Sequence, residues 1–143
     1  MEHRYTAVSK LMAKSIRDNW DCKALSDYHG ETYKFSDLAR MIARFHIVFE
    51  HFGLKKGDRV AICGKNQANW AVAFISTFTY GAVPVPLLRE FKPANIHNLV
   101  AHSESVVLFV DEQDVLGSAV IPAKHRRVLC LNDGNGDHAL LRQ

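Results

Sequence analysis

Residues Gly57 to Leu87 read GDRVAICGKNQANWAVAFISTFTYGAVPVPL, and the fold is decided inside them. Gly57-Asp58 is a turn, and Arg59-Val60-Ala61-Ile62-Cys63 is a short run with β-favouring side chains. Gly64-Lys65-Asn66 interrupts the chain. Asn66 is the expected helix cap, because its side-chain oxygen accepts an orphan backbone N–H. Gln67 to Tyr80 favours helix, and Gly81 suits the left-handed conformation that ends one. Ala82 to Leu87 is extended again, its two prolines forbidding helix and leaving one edge for pairing. A parallel pair of strands joined by a right-handed helical crossover is the economical arrangement.

Upstream, Thr6 to Trp20 is expected to be a first helix. Val8, Leu11, Met12 and Ile16 fall close to a 3.6-residue period, with Lys10, Lys14 and Arg17 elsewhere. Lys23 to Tyr28 and Thr32 to Phe35 flank His29-Gly30-Glu31, which predicts a hairpin with glycine in its turn. Ser36 is the expected cap of a second helix. There Leu38, Ile42, Phe45, Phe49 and Phe52 form one apolar stripe, and Gly53-Leu54 supplies the stop.

The helix inside Gly57–Leu87 has no such stripe. Ala68, Trp70, Ala71, Val72, Ala73, Phe74, Ile75 and Phe78 cover almost its whole circumference. That pattern predicts cover on more than one side, some of it from outside these residues.

Downstream, Pro93 suits the first residue of a third helix, with Ile96, Leu99 and Val100 as its stripe. Val106 to Val110 reads as a strand buried on both faces, and Arg127 to Leu131 as a last strand. Asp111 to Gly117 is at most a helical turn, and Asp133 to Asp137 is a loop. Strands alternating with helices after a hairpin predict a three-layer α/β domain with a mainly parallel sheet.

Composition narrows the function. A chain of 143 residues suits one domain, and 48% hydrophobic with 23% charged residues is ordinary globular usage. A net charge of +3, with basic clusters only at Lys55-Lys56 and His125-Arg126-Arg127, argues against nucleic acid as partner. Cys22, Cys63 and Cys130 are odd in number and far apart, which favours a reduced, cytoplasmic protein. The N-terminus has no apolar signal core. Asn66 to Leu88 carries no charge, yet its helical part would reach only about 21 Å against the ~30 Å of a bilayer core. No transmembrane segment is expected.

Local chemistry is sparse. Gly134-x-Gly136-x-x-Ala139 nearly spells a dinucleotide fingerprint, but too little chain follows for the second half of the unit, so a turn is preferred. His46 and His51, like His97 and His102, are five apart and off a common helix face. Ser26, Asp27 and His29 are neighbours only in sequence. No Gly-x-Ser-x-Gly elbow and no Gly-Lys-Ser/Thr phosphate loop is present.

GDRVAI, an Asn, a Trp-containing apolar helix and YGAVPVPL together resemble the N-terminal part of the adenylate-forming (AMP-binding) enzymes. The wording is most similar to the long-chain fatty acyl-CoA synthetases. Thr32-Tyr33-Lys34-Phe35-Ser36-Asp37-Leu38 and Ser105-Val106-Val107-Leu108-Phe109-Val110 stand in the family's order on either side. The resemblance covers nearly all of residues 1–143 as the first part of the AMP-binding large domain, with no second domain. It implies a parent enzyme that uses ATP and Mg2+ to form an acyl-adenylate, then passes the acyl group to coenzyme A.

The family's phosphate loop, ribose-binding acid and mobile lysine fall downstream of the matched part. The resemblance therefore assigns no catalytic, cofactor-binding or metal-binding residue here. It implies an inactive scaffold segment whose partner is the remainder of its enzyme, with fatty acid and CoA as the parent's substrates. A homodimer through the uncovered helix flank is a further expectation, as is peripheral membrane association of the parent. The other reading of the same residues is a complete small α/β module that binds a nucleotide or a protein without enzymatic activity.

Overall fold

A computed structural model describes residues 7–110 and 127–130. Helix α1 (Val8–Asp18) leads to a hairpin of β1 (Lys23–Ser26) and β2 (Thr32–Lys34), which runs straight into α2 (Phe35–His51). Then β3 (Arg59–Cys63), α3 (Ala68–Tyr80), β4 (Val83–Leu87), α4 (Pro93–His102), β5 (Val107–Val110) and β6 (Arg127–Cys130) follow in alternation. The larger sheet is parallel in the order β4-β3-β5-β6, and the hairpin is a separate two-stranded sheet.

Side-chain alternation along the strands builds two cores. Val60, Ile62, Val107 and Phe109 face one way, onto a cluster with Leu38, Ile42, Phe45 and Phe49 of α2 and Val72 and Ala73 of α3. Ala61, Cys63, Leu108 and Val110 face the other way, onto Ile96 and Val100 of α4. The expected three layers are therefore present, with α1, α2 and α3 over one face and α4 over the other. Register is continuous: Arg59 lies beside Val83 and Cys63 beside Leu87, while Val60 lies beside Val107 and Cys63 beside Val110.

Strand β4 lies at the sheet edge, as its prolines require. Val83 N donates to Asp58 O at 2.8 Å, so residues 83, 85 and 87 turn their nitrogens toward β3. Pro84 and Pro86 take the two outward positions and remove both donors there. A further strand cannot be added across that edge with a regular ladder.

Several local expectations are corrected. Helix α2 begins at Phe35, so Ser36 is a buried residue of its first turn and not its cap. A carboxylate does the work instead: Asp37 Oδ2 accepts from Lys34 N at 2.9 Å. Asn66 does not cap α3; the boundary residue is Gln67, and the first helical amide, Ala68 N, donates to Asp27 Oδ1 of the hairpin at 2.7 Å. A side chain 41 residues away outcompetes the local one because the hairpin turn reaches the helix end.

Helix α1 ends at Asp18, where Asn19 bonds Ser15 O through both its backbone and its side chain. Its stripe is only half used. Ile16 is buried, but Val8 and Leu11 stay 63% and 52% exposed. Val106 precedes β5 and bonds Arg59 O through its N–H at 2.9 Å. Thr6, the Asp111–Gly117 turn, Leu131 and the Asp133–Asp137 loop lie outside the described residues.

Candidate functional site

The carboxyl ends of β3 and β4 open onto a cleft of about 420 Å³. Open parallel sheets present their binding crevice at this end, because the strand-to-helix loops converge there. One wall is the loop after β3, Gly64-Lys65-Asn66, continued by Trp70 from the first turn of α3. The other is the end of β4 and its loop, Pro86 to Glu90. Below the rim Cys63 is fully buried, with Sγ 3.8 Å from Leu88 O, to which it donates.

The lining combines an indole, two cations, one carboxylate and apolar strand residues. It suits binding of a partly planar molecule. It holds no serine, cysteine or histidine.

Trp70 is held from one side by Phe74, whose ring stacks on it at 5.4 Å and 15°. Phe78 continues the row edge-on to Phe74 at 5.8 Å. These large rings are half-buried, while the buried line of α3 is made of Ala68, Val72, Ala73, Ser76 and Thr77. Small residues let the helix approach its neighbours closely, and the aromatic row is left along its flank. The all-round apolar pattern thus resolves into a buried face of small residues and an aromatic face of partial cover.

Residues weighed for chemistry in the sequence are dispersed. Ser26 Oγ pairs with Thr32 Oγ1 at 2.9 Å, Asp27 reaches Ala68 N, and His29, at φ +54°, lies against the Tyr28 ring. His46 Nε2 lies 3.0 Å from both Ser76 O and Thr79 Oγ1, tying α2 to α3, while His51 is exposed at the end of α2. His97 is half-buried on α4 and His102 exposed at its end. Gly134, Gly136 and Ala139 lie outside the described residues.

Among the described residues no group of three or more His, Cys, Asp or Glu could hold a metal ion. Among them, too, no helix is long and apolar enough to cross a membrane. The bond of Asp27 to the start of α3 was not legible in the sequence, since the two residues meet only through the fold.

The family model for the AMP-binding enzymes matches residues 13–139. The chain belongs to that family. Acetyl-coenzyme A synthetase of Bartonella quintana is 25% identical over 113 residues, 79% of this chain and 16% of that protein. L-proline–[L-prolyl-carrier protein] ligase of Streptomyces coelicolor is 30% identical over 87 residues, 59% of this chain and 16% of the ligase. The chain thus spans about one sixth of the length of these relatives.

Among solved structures, the N-terminal subdomain of Klebsiella oxytoca NpsA in complex with 3-hydroxybenzoyl-AMSN superposes with a TM-score of 0.73 at 22% identity. It covers 88% of this chain and 30% of that one. The nonribosomal peptide synthetase FmoA3 gives 0.78 at 17% identity, covering 88% of this chain and 14% of the other. At these identities the superpositions establish the α/β fold of an adenylation enzyme's N-terminal part.

Proposed function

We propose that residues 1–143 form the N-terminal part of the AMP-binding domain of an ATP-dependent acid–thiol ligase. The whole enzyme joins a carboxylic acid to AMP and then to a thiol, using ATP, Mg2+ and coenzyme A, in the cytoplasm. The carrying observation is the family match over residues 13–139, laid on a parallel sheet whose carboxyl ends open into a cleft. The likeness of Gly57–Leu87 to long-chain fatty acyl-CoA synthetases supports a long-chain fatty acid as the substrate. The acetyl-CoA synthetases among the relatives make acetate the competitor to beat.

The segment itself acts as scaffold in this reading: it supplies sheet, helices and one end of a crevice, and its sequence holds no Gly-Lys-Ser/Thr phosphate loop. Hydroxylamine trapping with the full-length enzyme, ATP and Mg2+ tests the reading. Palmitate-dependent hydroxamate well above that from acetate is expected. Product from acetate alone would overturn the long-chain part, and no product from any acid would overturn the ligase reading. Residues 1–143 alone should give none, and micromolar ATP affinity by calorimetry would contradict the scaffold assignment.

The aromatic flank of α3 supports self-association of the isolated segment as a two-fold dimer. The proline-blocked edge of β4 excludes strand addition there as its route. Sedimentation velocity that stays monomeric to near-millimolar protein would refute the dimer.

A further inference from the structure

We propose that Asp27, in the β1–β2 hairpin, is a positioning residue for the cleft at the carboxyl ends of β3 and β4. The inference rests on reading that cleft as the binding end of the sheet. Asp27 does not line the cleft. Its carboxylate instead takes the first amide of α3, Ala68 N, at 2.7 Å.

That anchor falls in the middle of one wall. Gly64, Lys65 and Asn66 precede Ala68, Trp70 follows it, and all four line the cleft. The bond joins a full negative charge to the positive end of a helix whose first turn has no acidic residue of its own. Gln67, at the boundary, makes no side-chain cap bond. The hairpin is therefore the cap, and it reaches the helix from a separate sheet.

The hairpin turn is built to hold that carboxylate still. Asp27 N donates to Glu31 O at 3.0 Å, and Gly30 N donates to Asp27 O at 3.0 Å. A Cβ at Gly30 would come within 2.8 Å of the Asp27 Cβ, so the turn closes tightly around the residue. The hydroxyl pair of Ser26 and Thr32 locks the strand ends next to it.

The opposite wall is fixed differently, by the pairing of Leu87 with Cys63 in the sheet. Loss of the Asp27 bond thus frees one wall and leaves the other in place. Trp70 then keeps its stacking on Phe74 and its packing against the core, but the first turn of α3 frays. The opening of the cleft becomes a property of the hairpin, which does not line it.

The test uses the chain with Trp20→Phe, so that Trp70 is its sole tryptophan. In that background Asp27→Ala is expected to raise amide exchange at residues 68–70 about fivefold and to increase acrylamide quenching of Trp70. Exchange at Phe49 and Ile62 should stay put. Asp27→Asn keeps an acceptor and should restore most of the protection, a rescue that mere loss of charge does not predict.

A uniform rise in exchange across all amides, or unchanged Trp70 quenching, overturns the proposal. Should Asp27→Ala fail to fold, Asp27→Leu, close in size but without an acceptor, decides alone. A folded chain with exchange raised only at residues 68–70 supports the proposal; an unfolded one, or one with no local change, refutes it. None of these readouts depends on catalysis, so they stand or fall apart from the hydroxamate assay.

Discussion

Helices α2 and α3 lie side by side in one layer, yet their sequences specify burial by different rules. In α2 the apolar stripe is narrow, and Leu38, Ile42, Phe45 and Phe49 of it become buried, while Phe52 stays half-buried just past the helix end. In α3 nearly every position is apolar, so hydrophobicity cannot choose a face. Size chooses it, and the buried line is alanine, valine, serine and threonine. Their starts differ in the same sense. A residue of its own first turn, Asp37, secures α2, whereas Asp27 of the hairpin secures α3. One helix is specified by its own text, and the other by what surrounds it.

The largest effect should separate the two at their biggest rings. Phe49 is fully buried, with Tyr80 at 5.3 Å and Phe45 and Phe109 each at 6.1 Å. Phe49→Ala is expected to cost about 3–5 kcal/mol, a large share of the stability of a domain this size. Phe74→Ala, on the half-buried row of α3, should cost about 1 kcal/mol. Urea midpoints of both variants check the ratio; equal losses would mean that the α3 row is core after all.

The helix ends offer the next contrast. Gly53 after α2 and Gly81 after α3 both hold positive φ, +68° and +94°, where a Cβ costs roughly 1–2 kcal/mol. A Cβ at Gly53 meets nothing within 4 Å, but at Gly81 it meets Lys56 Cγ at 2.9 Å. Gly81→Ala should therefore destabilise more than Gly53→Ala in thermal melts, by the cost of displacing the Lys56 stem. If the pair proves equal, that stem moves aside freely.

The same contrast explains what was legible in the sequence. Strands Arg59–Cys63 and Val83–Leu87, the stripe of α2 and the stop at Gly81 were readable because each depends on residues within one turn or one pleat. The caps at Ser36 and Asn66 were misplaced because capping is a competition among nearby carboxylates and amides. Asp37 lay one position further into the helix, and Asp27 came from another sheet. The unused half of the α1 stripe, Val8 and Leu11, had the right period, yet no element among the described residues covers it. The cleft was foreshadowed only as the end of a parallel pair; its walls depend on how α3 meets the hairpin.

Selecting a buried face by size leaves polar atoms inside α3, which gives a smaller and opposite effect. Ser76 is fully buried and its Oγ has no hydrogen-bond partner among the described residues, whereas Thr77 Oγ1 donates to Ala73 O at 2.7 Å. Ser76→Ala removes an unmet hydroxyl and is expected to stabilise by about 1 kcal/mol. Thr77→Val removes a satisfied one and should be near neutral. Chemical denaturation of the two variants distinguishes them, and destabilisation by Ser76→Ala would show that its hydroxyl finds a partner.

The smallest effect reads both helix starts at once. Burial pushes the Tyr33 phenol above its ordinary 10.0, and a hydrogen bond to Glu31, the Glu31 charge and the charges of Asp27 and Asp37 add to that. Tyr33 thus senses the carboxylate that caps α3 and the one that caps α2. A phenol whose folded pKa is raised contributes stability that is complete below pH 10 and is lost as pH rises through the folded value. Stability should therefore decline with pH above 10, and Tyr33→Phe should remove that slope. Spectrophotometric titration of the phenolate gives the ranking. Glu31→Ala should lower the Tyr33 pKa most, because it removes both the hydrogen bond and a charge, and Asp27→Asn and Asp37→Asn should each lower it less. An Asp27→Asn chain with an unchanged Tyr33 pKa, beside a lowered one in Asp37→Asn, would show the hairpin carboxylate standing farther from the ring than the helix it caps requires.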